Sequence, residues 1–183
     1  MNAPQEYPFE YFVHEAGHVV VAHWVGASEC WVGFVLGSSE PFQTRSSIIG
    51  ARARIRQSFG GLFAETLLAD QDISVERLRN AYTDLINPGN NFRAPLSAKE
   101  EICLQHAKVD LDLTIDYAKT ELGTDDHRKL TDFLMAEWAQ TYGFVQLKKQ
   151  LILEIANRLK VWYLGGLEAP LFDGIAAIAT CQV

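Results

Sequence analysis

The residues with the clearest chemical potential lie near the start of the chain, where positions 14–18 read His-Glu-Ala-Gly-His. Residues four apart lie on one face of a helix, so the imidazoles of His14 and His18 can reach one metal ion. Glu15 lies about 100° around the helix from His14, so it is no third ligand but can reach a metal-bound water. An open zinc site lowers the pKa of its water to about 7, and a neighbouring carboxylate can accept the proton as the water attacks a carbonyl. The pattern predicts a zinc site with His14 and His18 as ligands and Glu15 as the catalytic base.

A helix must position these three residues, and the sequence predicts one from Phe9 to about Val25. Pro8 suits the first turn of a helix, and Gly26 suits a C-terminal cap. Apolar side chains of this helix cover much of its circumference, which predicts that the helix is buried in the middle of a domain. The small residues Ala16 and Gly17 are expected to leave room for a metal ion and a substrate.

The remaining segments predict a small sheet beside a bundle of helices. A run rich in β-forming residues extends from Cys30 to Leu36, and a second run could pair with it. Ser97 and Glu100 have the spacing of a capping box and should start a long helix ending near Leu122. The second strand is predicted at 42–49, and further helices are predicted at 51–70, 74–86, 125–142 and 144–163. The stretch 87–91 is the clearest predicted loop.

The predicted fold class is α+β and predominantly helical, with a buried HExxH helix, a two- or three-stranded sheet and a helical C-terminal bundle. One domain is expected over residues 1–183. Its first part, 1–70, carries the metal-binding helix, the sheet and the helix beginning at 51. The second part, 71–183, forms the helical bundle. In the last predicted helix a stripe of apolar residues at helical spacing indicates core packing, and it comprises Leu147, Leu151, Ile155, Leu159 and Trp162.

Composition narrows the range of partners. The 183 residues carry a formal net charge of −7 and no run of Lys or Arg, so no nucleic-acid partner is expected. No apolar stretch reaches 18 residues and no signal peptide is recognisable, so we expect no membrane span and a cytoplasmic location. Three widely separated cysteines, Cys30, Cys103 and Cys181, are expected to be free thiols in a reducing compartment.

Two blocks of the chain resemble the zinc peptidase domain of the FtsH-type AAA proteases. The block HEAGHVVVAHWVGA, from position 14, looks like the signature helix of that family. The block GGLFAETLL, from position 60, is similar to the family's G-G-R-x-A-E-E-L helix. The resemblance implies a mostly helical, zinc-dependent endopeptidase. The 183 residues contain no G-x-x-x-x-G-K-[ST] phosphate loop, so the expectation is a stand-alone peptidase domain without the ATPase.

The resemblance also implies a third zinc ligand, an Asp at the start of a helix in a pattern like S-N-D-L-x-x-A-x-x-x-A. Asp110 is favoured because Leu111 follows it, a small residue stands at +4 and Ala118 stands at +8. Asp84 is the alternative, since Leu85 follows it and it lies nearer the expected distance after the glycine pair. However, Pro88 occupies the +4 position of Asp84. The choice of Asp110 requires an insertion before it and a helix break near Ala107.

Three further residues or segments are assigned roles around this site. Glu65 is a candidate to orient a ligand histidine by accepting a hydrogen bond from it. His106 lies four residues before Asp110 and could hydrogen-bond to it. An edge strand commonly holds the backbone of a peptide substrate, and the Cys30–Leu36 run is the candidate strand.

The predicted function is therefore a zinc-dependent endopeptidase acting on peptides or unfolded proteins. The alternative is a non-catalytic zinc-binding or assembly module with the same fold. A helical structural protein with a chance HExxH pattern is a third reading. Because the motor-bearing relatives form hexameric rings, self-association of this chain is a further expectation of the resemblance.

Overall fold

The computed structural model describes residues 6–35, 41–68, 73–88, 95–165 and 171–181. These ranges form helices for the most part, together with one small antiparallel sheet, so the predicted α+β class is confirmed. The helices are α1 (Phe9–Trp24), α2 (Ala51–Thr66), α3 (Val75–Ile86), α4 (Ala98–His106), α5 (Lys108–Leu122), α6 (His127–Leu147), α7 (Lys149–Leu164) and α8 (Gly174–Ala179). The strands are β1 (Cys30–Phe34), β2 (Phe42–Ser46) and β3 (Leu171–Asp173). No helix in the described ranges is both long and apolar enough to cross a lipid bilayer.

Helix α1 lies at the centre of the fold, as its apolar surface predicts. Every residue from Phe12 to Ala22 is buried. The helix begins after Pro8 and ends two residues before Gly26, whose φ of 90° is a backbone conformation that glycine adopts without steric cost. Buried side chains of α1 and of the later helices form one continuous core.

Two glycines allow α1 and α2 to approach backbone to backbone. A Cβ atom added to Gly17 would lie 2.2 Å from the carbonyl oxygen of Gly60, and one added to Gly60 would lie 2.7 Å from the oxygen of Gly17. Gly61 similarly lies against the imidazole of His14, since an added Cβ would be 2.5 Å from its Nε2. The expectation that Gly17 leaves room for a metal or substrate is therefore wrong, because α2 fills that space.

The sheet has the strand order β2-β1-β3, and both pairings are antiparallel. β1 and β2 were predicted, although both are shorter than expected and residues 36–40 lie outside the described ranges. β3 was not predicted; it has three residues and pairs with Trp31–Gly33 from far along the chain. Because β1 has a partner on each side, β2 is an edge strand among the described strands.

The long helix predicted after Ser97 is in fact two helices. The capping box of Ser97 and Glu100 is present and starts α4. That helix ends at His106, and Ala107, with a φ of −87° and a ψ of 6°, separates it from α5, which begins at Lys108. The break places Asp110 in the first turn of α5.

The boundary between the last two long helices was predicted at Gly143, and this is wrong. Helix α6 continues through Gly143 to Leu147, and the break lies at Lys148. Leu147 is consequently 85% exposed, whereas Ile155 and Leu159 are fully buried as expected. The three cysteines are free thiols, as predicted.

Candidate metal centre

Three side chains from two distant parts of the chain point their donor atoms at one another. His14 Nε2 lies 2.9 Å from His18 Nε2. The carboxylate oxygen Oδ2 of Asp110 lies 3.2 Å from each of these nitrogens. Among the described residues, these form a group of His, Cys, Asp or Glu side chains close enough to share one ion.

The separations of these donors match the requirements of a small divalent ion. A tetrahedral zinc ion with bonds of about 2.0–2.1 Å holds its ligand atoms about 3.3 Å apart. The three donor separations of 2.9, 3.2 and 3.2 Å are close to that value. Two imidazole nitrogens and one carboxylate oxygen suit zinc and other first-row divalent ions, so the geometry supports a metal site without naming its ion.

The backbone explains how each donor reaches this point. His14 and His18 are one turn apart on α1, which puts both rings on one face. Asp110 lies in the first turn of α5, just after the break at Ala107, and its carboxylate meets both rings there. Asp84, the alternative ligand, lies on α3 outside this group, and its buried Oδ2 has no hydrogen-bond partner in the described structure.

The other nitrogen of each ring is held by a hydrogen bond. His14 Nδ1 is 2.6 Å from Glu65 Oε1, and His18 Nδ1 is 2.7 Å from the carbonyl oxygen of Gln57. An imidazole that donates from Nδ1 presents its Nε2 lone pair, so both bonds prepare Nε2 to bind a metal. Glu65 thus contacts a candidate ligand histidine in the way the sequence predicted, while the contribution of Gln57 comes from its backbone and has no sequence signal.

The hydrogen bond considered between His106 and Asp110 is not formed; His106 bonds to Glu65 instead. Its Nδ1 is 3.0 Å from Glu65 Oε2, and its ring packs against Tyr11 with a centroid distance of 4.7 Å. The Cys103 thiol also lies 3.5 Å from Glu65 Oε2. His106 is the last residue of α4 and Asp110 lies in the first turn of α5, so the two residues do not belong to one continuous helix as the prediction assumed. Glu65 is consequently fixed from both sides and can hold His14 in a single orientation.

The electrostatics of the site favour a positive charge at its centre. Burial works against protonation of His14, but the carboxylates of Asp110 and Glu65 outweigh it and hold the pKa of His14 well above its ordinary value. Burial would raise the pKa of Asp110, but the His18 and His14 imidazoles hold it well below its ordinary value. A metal cation placed here would replace a proton in an environment already arranged for positive charge.

Glu15 lies beside the donors but is held by a different element. Its side chain is buried, and its Oε2 accepts a hydrogen bond from the Thr44 hydroxyl of β2. Thr44 was not identified from the sequence, since nothing near it signals that β2 would lie over α1. The bond fixes one carboxylate oxygen of Glu15 beside the candidate metal site.

A groove of about 990 Å³ opens over these residues. The edge strand β2 forms one wall, and parts of α4 and α5 form the opposite wall. The Ser46 hydroxyl at the end of β2 donates to the Gln57 side chain, which keeps the strand alongside the metal-site residues. The proposed substrate strand Cys30–Leu36 is therefore wrong, because β1 is paired on both sides and β2 is the strand that borders the groove.

Replacing Glu65 with glutamine is expected to lower the affinity for Zn²⁺, used as the test ion, by about 10- to 100-fold. Glutamine has nearly the same shape as glutamate, but it lacks the negative charge that makes His14 a stronger metal ligand. Its amide also has only one oxygen, so it cannot accept hydrogen bonds from both His14 and His106 as the two carboxylate oxygens do. Competition with a chromophoric chelator measures the affinity. Glu101→Gln, which neutralises an exposed carboxylate on α4, is the matched control and should leave the affinity unchanged. Equal affinities for both variants would show that Glu65 does not support the site.

Comparison of the chain with protein-family models, curated proteins and solved structures found no match. The resemblance to FtsH-type peptidases therefore remains a prediction from the two sequence blocks at positions 14 and 60.

Proposed function

We propose that the chain is a zinc-dependent endopeptidase with His14, His18 and Asp110 as the metal ligands. The observation that carries the proposal is the convergence of these three donors within 3.2 Å of one another, with Glu15 next to them on the same groove. Zinc bound there would activate a water molecule and polarise the carbonyl of a peptide bond. Sequence blocks similar to those of the FtsH-type peptidases support the choice of zinc and of peptide substrates.

Glu15 is the proton carrier in this proposal. Thr44 occupies its Oε2, whereas no described residue hydrogen-bonds to Oε1. Oε1 can therefore accept a proton from the attacking water and deliver it to the nitrogen of the leaving amine. Thr44 is a positioning residue, because its hydroxyl restricts the rotation of the Glu15 carboxylate.

The groove suits an extended polypeptide. Within the described ranges β2 has a strand partner on one side only. Its other edge can pair with a substrate strand, and this arrangement aligns a peptide bond without requiring a particular side chain. The opposite wall carries the exposed apolar residues Ile102, Val109 and Leu113. These would take apolar side chains of the bound segment, which unfolded proteins expose and folded proteins bury.

The alternative, a non-catalytic zinc-binding module, has less support. A purely structural zinc site is closed by four protein ligands, whereas three donors converge here among the described residues. A third candidate, a chance pattern on a structural helix, would not explain why Asp110 and Glu65 both approach the histidines. These contacts favour the endopeptidase.

The decisive experiment is Glu15→Gln in the zinc-loaded protein. Zinc content should remain near one ion per chain, because Glu15 is not a ligand. Cleavage of fluorescently labelled unfolded casein should fall by about 10²- to 10⁴-fold, the usual contribution of a general base. Elemental analysis measures the zinc, and the initial rate of fluorescence release measures the cleavage.

Glu10→Gln is the matched control, since Glu10 is an exposed carboxylate on the same helix. It should cleave as the unsubstituted chain does, and a chelator should abolish the activity of both. Cleavage by Glu15→Gln at the unsubstituted rate would remove Glu15 from the mechanism. A metal-loaded chain with no cleavage under any condition would favour the non-catalytic module.

A further inference from the structure

The groove has two chemically different ends on either side of the metal-site residues. At one end, Tyr11 and His106 lie together beside the start of α1. At the other end, Arg54 of α2 lies over the ring of Tyr117 of α5, with the guanidinium carbon 5.8 Å from the ring centroid. His106 precedes α5, Asp110 lies in the first turn of α5, and Tyr117 lies about two turns further along it, so the metal-site residue Asp110 stands between the two ends in chain order. The substrate path therefore has a direction.

The second end is cationic. Arg45 of β2 and Arg54 both line the groove and are exposed, and neither has a carboxylate partner among the described residues. Arg56, on the same helix as Arg54, contrasts with them because Glu137 binds its guanidinium at 2.6 Å. Arg45 precedes Ser46 on β2, and the Ser46 hydroxyl donates to Gln57, which lies one turn along α2 from Arg54. We name Arg45 and Arg54, with Tyr117, the cationic end of the groove.

Among the described residues, none of the three carboxylates that line the groove forms an ion pair with Arg45 or Arg54. Asp110 is engaged by His14 and His18, Glu65 by His14 and His106, and Glu15 by the Thr44 hydroxyl. The whole chain carries a net charge of −7, so two unpaired guanidinium groups in one groove run against the general charge of the molecule. Local positive charge within an acidic protein selects an anionic partner and repels cationic ones.

The distance between Asp110 and Tyr117 sets how far from the metal site an anion bound at the cationic end would lie. Asp110 and Tyr117 are seven residues apart on α5, about 10 Å along the helix axis at about 1.5 Å per residue. An extended peptide advances about 3.3 Å per residue, so this distance corresponds to about three residues of substrate. Leu113, one turn from Asp110 on α5, is a partly exposed apolar residue between Asp110 and Tyr117.

We propose that the cationic end of the groove binds a carboxylate of an extended peptide about three residues from the bond presented to the metal site. The inference deepens the proposed function by naming its substrate class: unfolded segments with an acidic group at that spacing. Guanidinium groups bind carboxylates through paired N–H donors, and the Tyr117 ring limits the orientations open to Arg54. The carboxylate comes either from an Asp or Glu side chain or from the C-terminus of the peptide.

The test measures binding first, so that it does not depend on turnover. Zinc-loaded Glu15→Gln protein is titrated into fluorescently labelled, otherwise uncharged peptides that carry Glu, Gln or Lys three residues to either side of a central leucine. Amidated C-termini isolate the side-chain carboxylate, and one Gln peptide with a free C-terminus tests the terminal carboxylate. Fluorescence anisotropy gives each Kd. We expect one Glu peptide, or the peptide with the free C-terminus, to bind about fivefold more tightly than its neutral counterpart. This preference should shrink at high salt.

Substitutions assign the preference to the two arginines. With Arg45→Gln and Arg54→Gln combined, the Glu and Gln peptides should bind within about twofold of each other. Arg54→Glu should reverse the order, so that the Lys peptide binds more tightly than the Glu peptide. Arg128→Gln removes an exposed arginine at the start of α6 outside the groove and should leave the preference intact. Circular dichroism and zinc content establish that each variant is folded and loaded.

Several outcomes would overturn the inference. These are equal Kd values for Glu, Gln and Lys peptides, a preference that persists in the double variant, or the absence of measurable peptide binding. The proposed function fails separately: if the unsubstituted chain binds Glu peptides preferentially but cleaves none, the groove is a peptide-binding site without catalysis. If it cleaves all peptides at equal rates with equal Kd values, the endopeptidase stands and the acidic preference is wrong.

Discussion

Replacing Asp110 with asparagine is expected to lower the affinity for zinc by more than roughly 100-fold. That figure is the upper end of what is lost when a residue that hydrogen-bonds to a metal ligand, such as Glu65, is replaced. The side chain keeps its size, but the neutral amide is a poor zinc ligand and the site loses the only carboxylate among its three donors. Two histidine nitrogens 2.9 Å apart would remain, which is too few donors for a stable site. Zinc content after dialysis and the Kd from chelator competition measure the effect, and cleavage should be lost with the metal.

Two matched substitutions make this result specific. Asp112→Asn removes the same charge from an exposed position on α5 and should retain about one zinc per chain. Asp84→Asn tests the alternative ligand considered from the sequence and should also retain it. If Asp84→Asn lost zinc and Asp110→Asn retained it, the assignment of the third ligand would be wrong.

The substitution with the largest expected effect on stability is Gly17→Ala. The added methyl group would lie 2.2 Å from the Gly60 carbonyl oxygen and 2.6 Å from the Ala64 Cβ, so it meets backbone as well as side chain. Helix propensity alone favours alanine by about 1 kcal/mol. Because α1 and α2 would have to move apart, we expect a net loss of at least about 2 kcal/mol in the free energy of unfolding. Urea denaturation at equilibrium measures this loss.

The same substitution at Gly143 should have the opposite sign. Gly143 lies inside α6, and a Cβ atom added there would meet nothing within 4 Å. Gly143→Ala should therefore stabilise the chain by about 0.5–1 kcal/mol through helix propensity. A stability change of equal size and sign at both positions would mean that the close approach of α1 and α2 does not limit the fold.

Gly17→Ala should also weaken zinc binding, because the displacement of α2 carries Glu65 away from His14.

The sequence predicted those parts of the fold and site that depend on local pattern. The apolar surface of α1 predicted its burial, and the spacing of His14 and His18 predicted a shared face, because both follow from the helical repeat. Asp110 came instead from resemblance, and its place in the first turn of a helix depends on the break at Ala107. No glycine or proline marks that break, so a helix through it was the natural expectation.

The parts that could not be predicted depend on contacts between distant segments. β3 is only three residues long, and it becomes a strand because it lies beside Trp31–Gly33. The hydrogen bond from Thr44 to Glu15 and that from His106 to Glu65 likewise require the tertiary arrangement of the chain. Gly143 gave a misleading signal, since a helix tolerates an isolated glycine when the flanking turns pack well.

His14 and Asp110 are 96 positions apart in the chain, yet their side chains meet. An ion shared between them would be a removable cross-link that closes a very long loop. In the unfolded chain, bringing these two points together costs conformational entropy, so the ion would bind the folded state in strong preference. By mass action, the folded population would then rise with the concentration of free zinc. The fraction of the chain that is folded would thus depend on the metal supply of its surroundings.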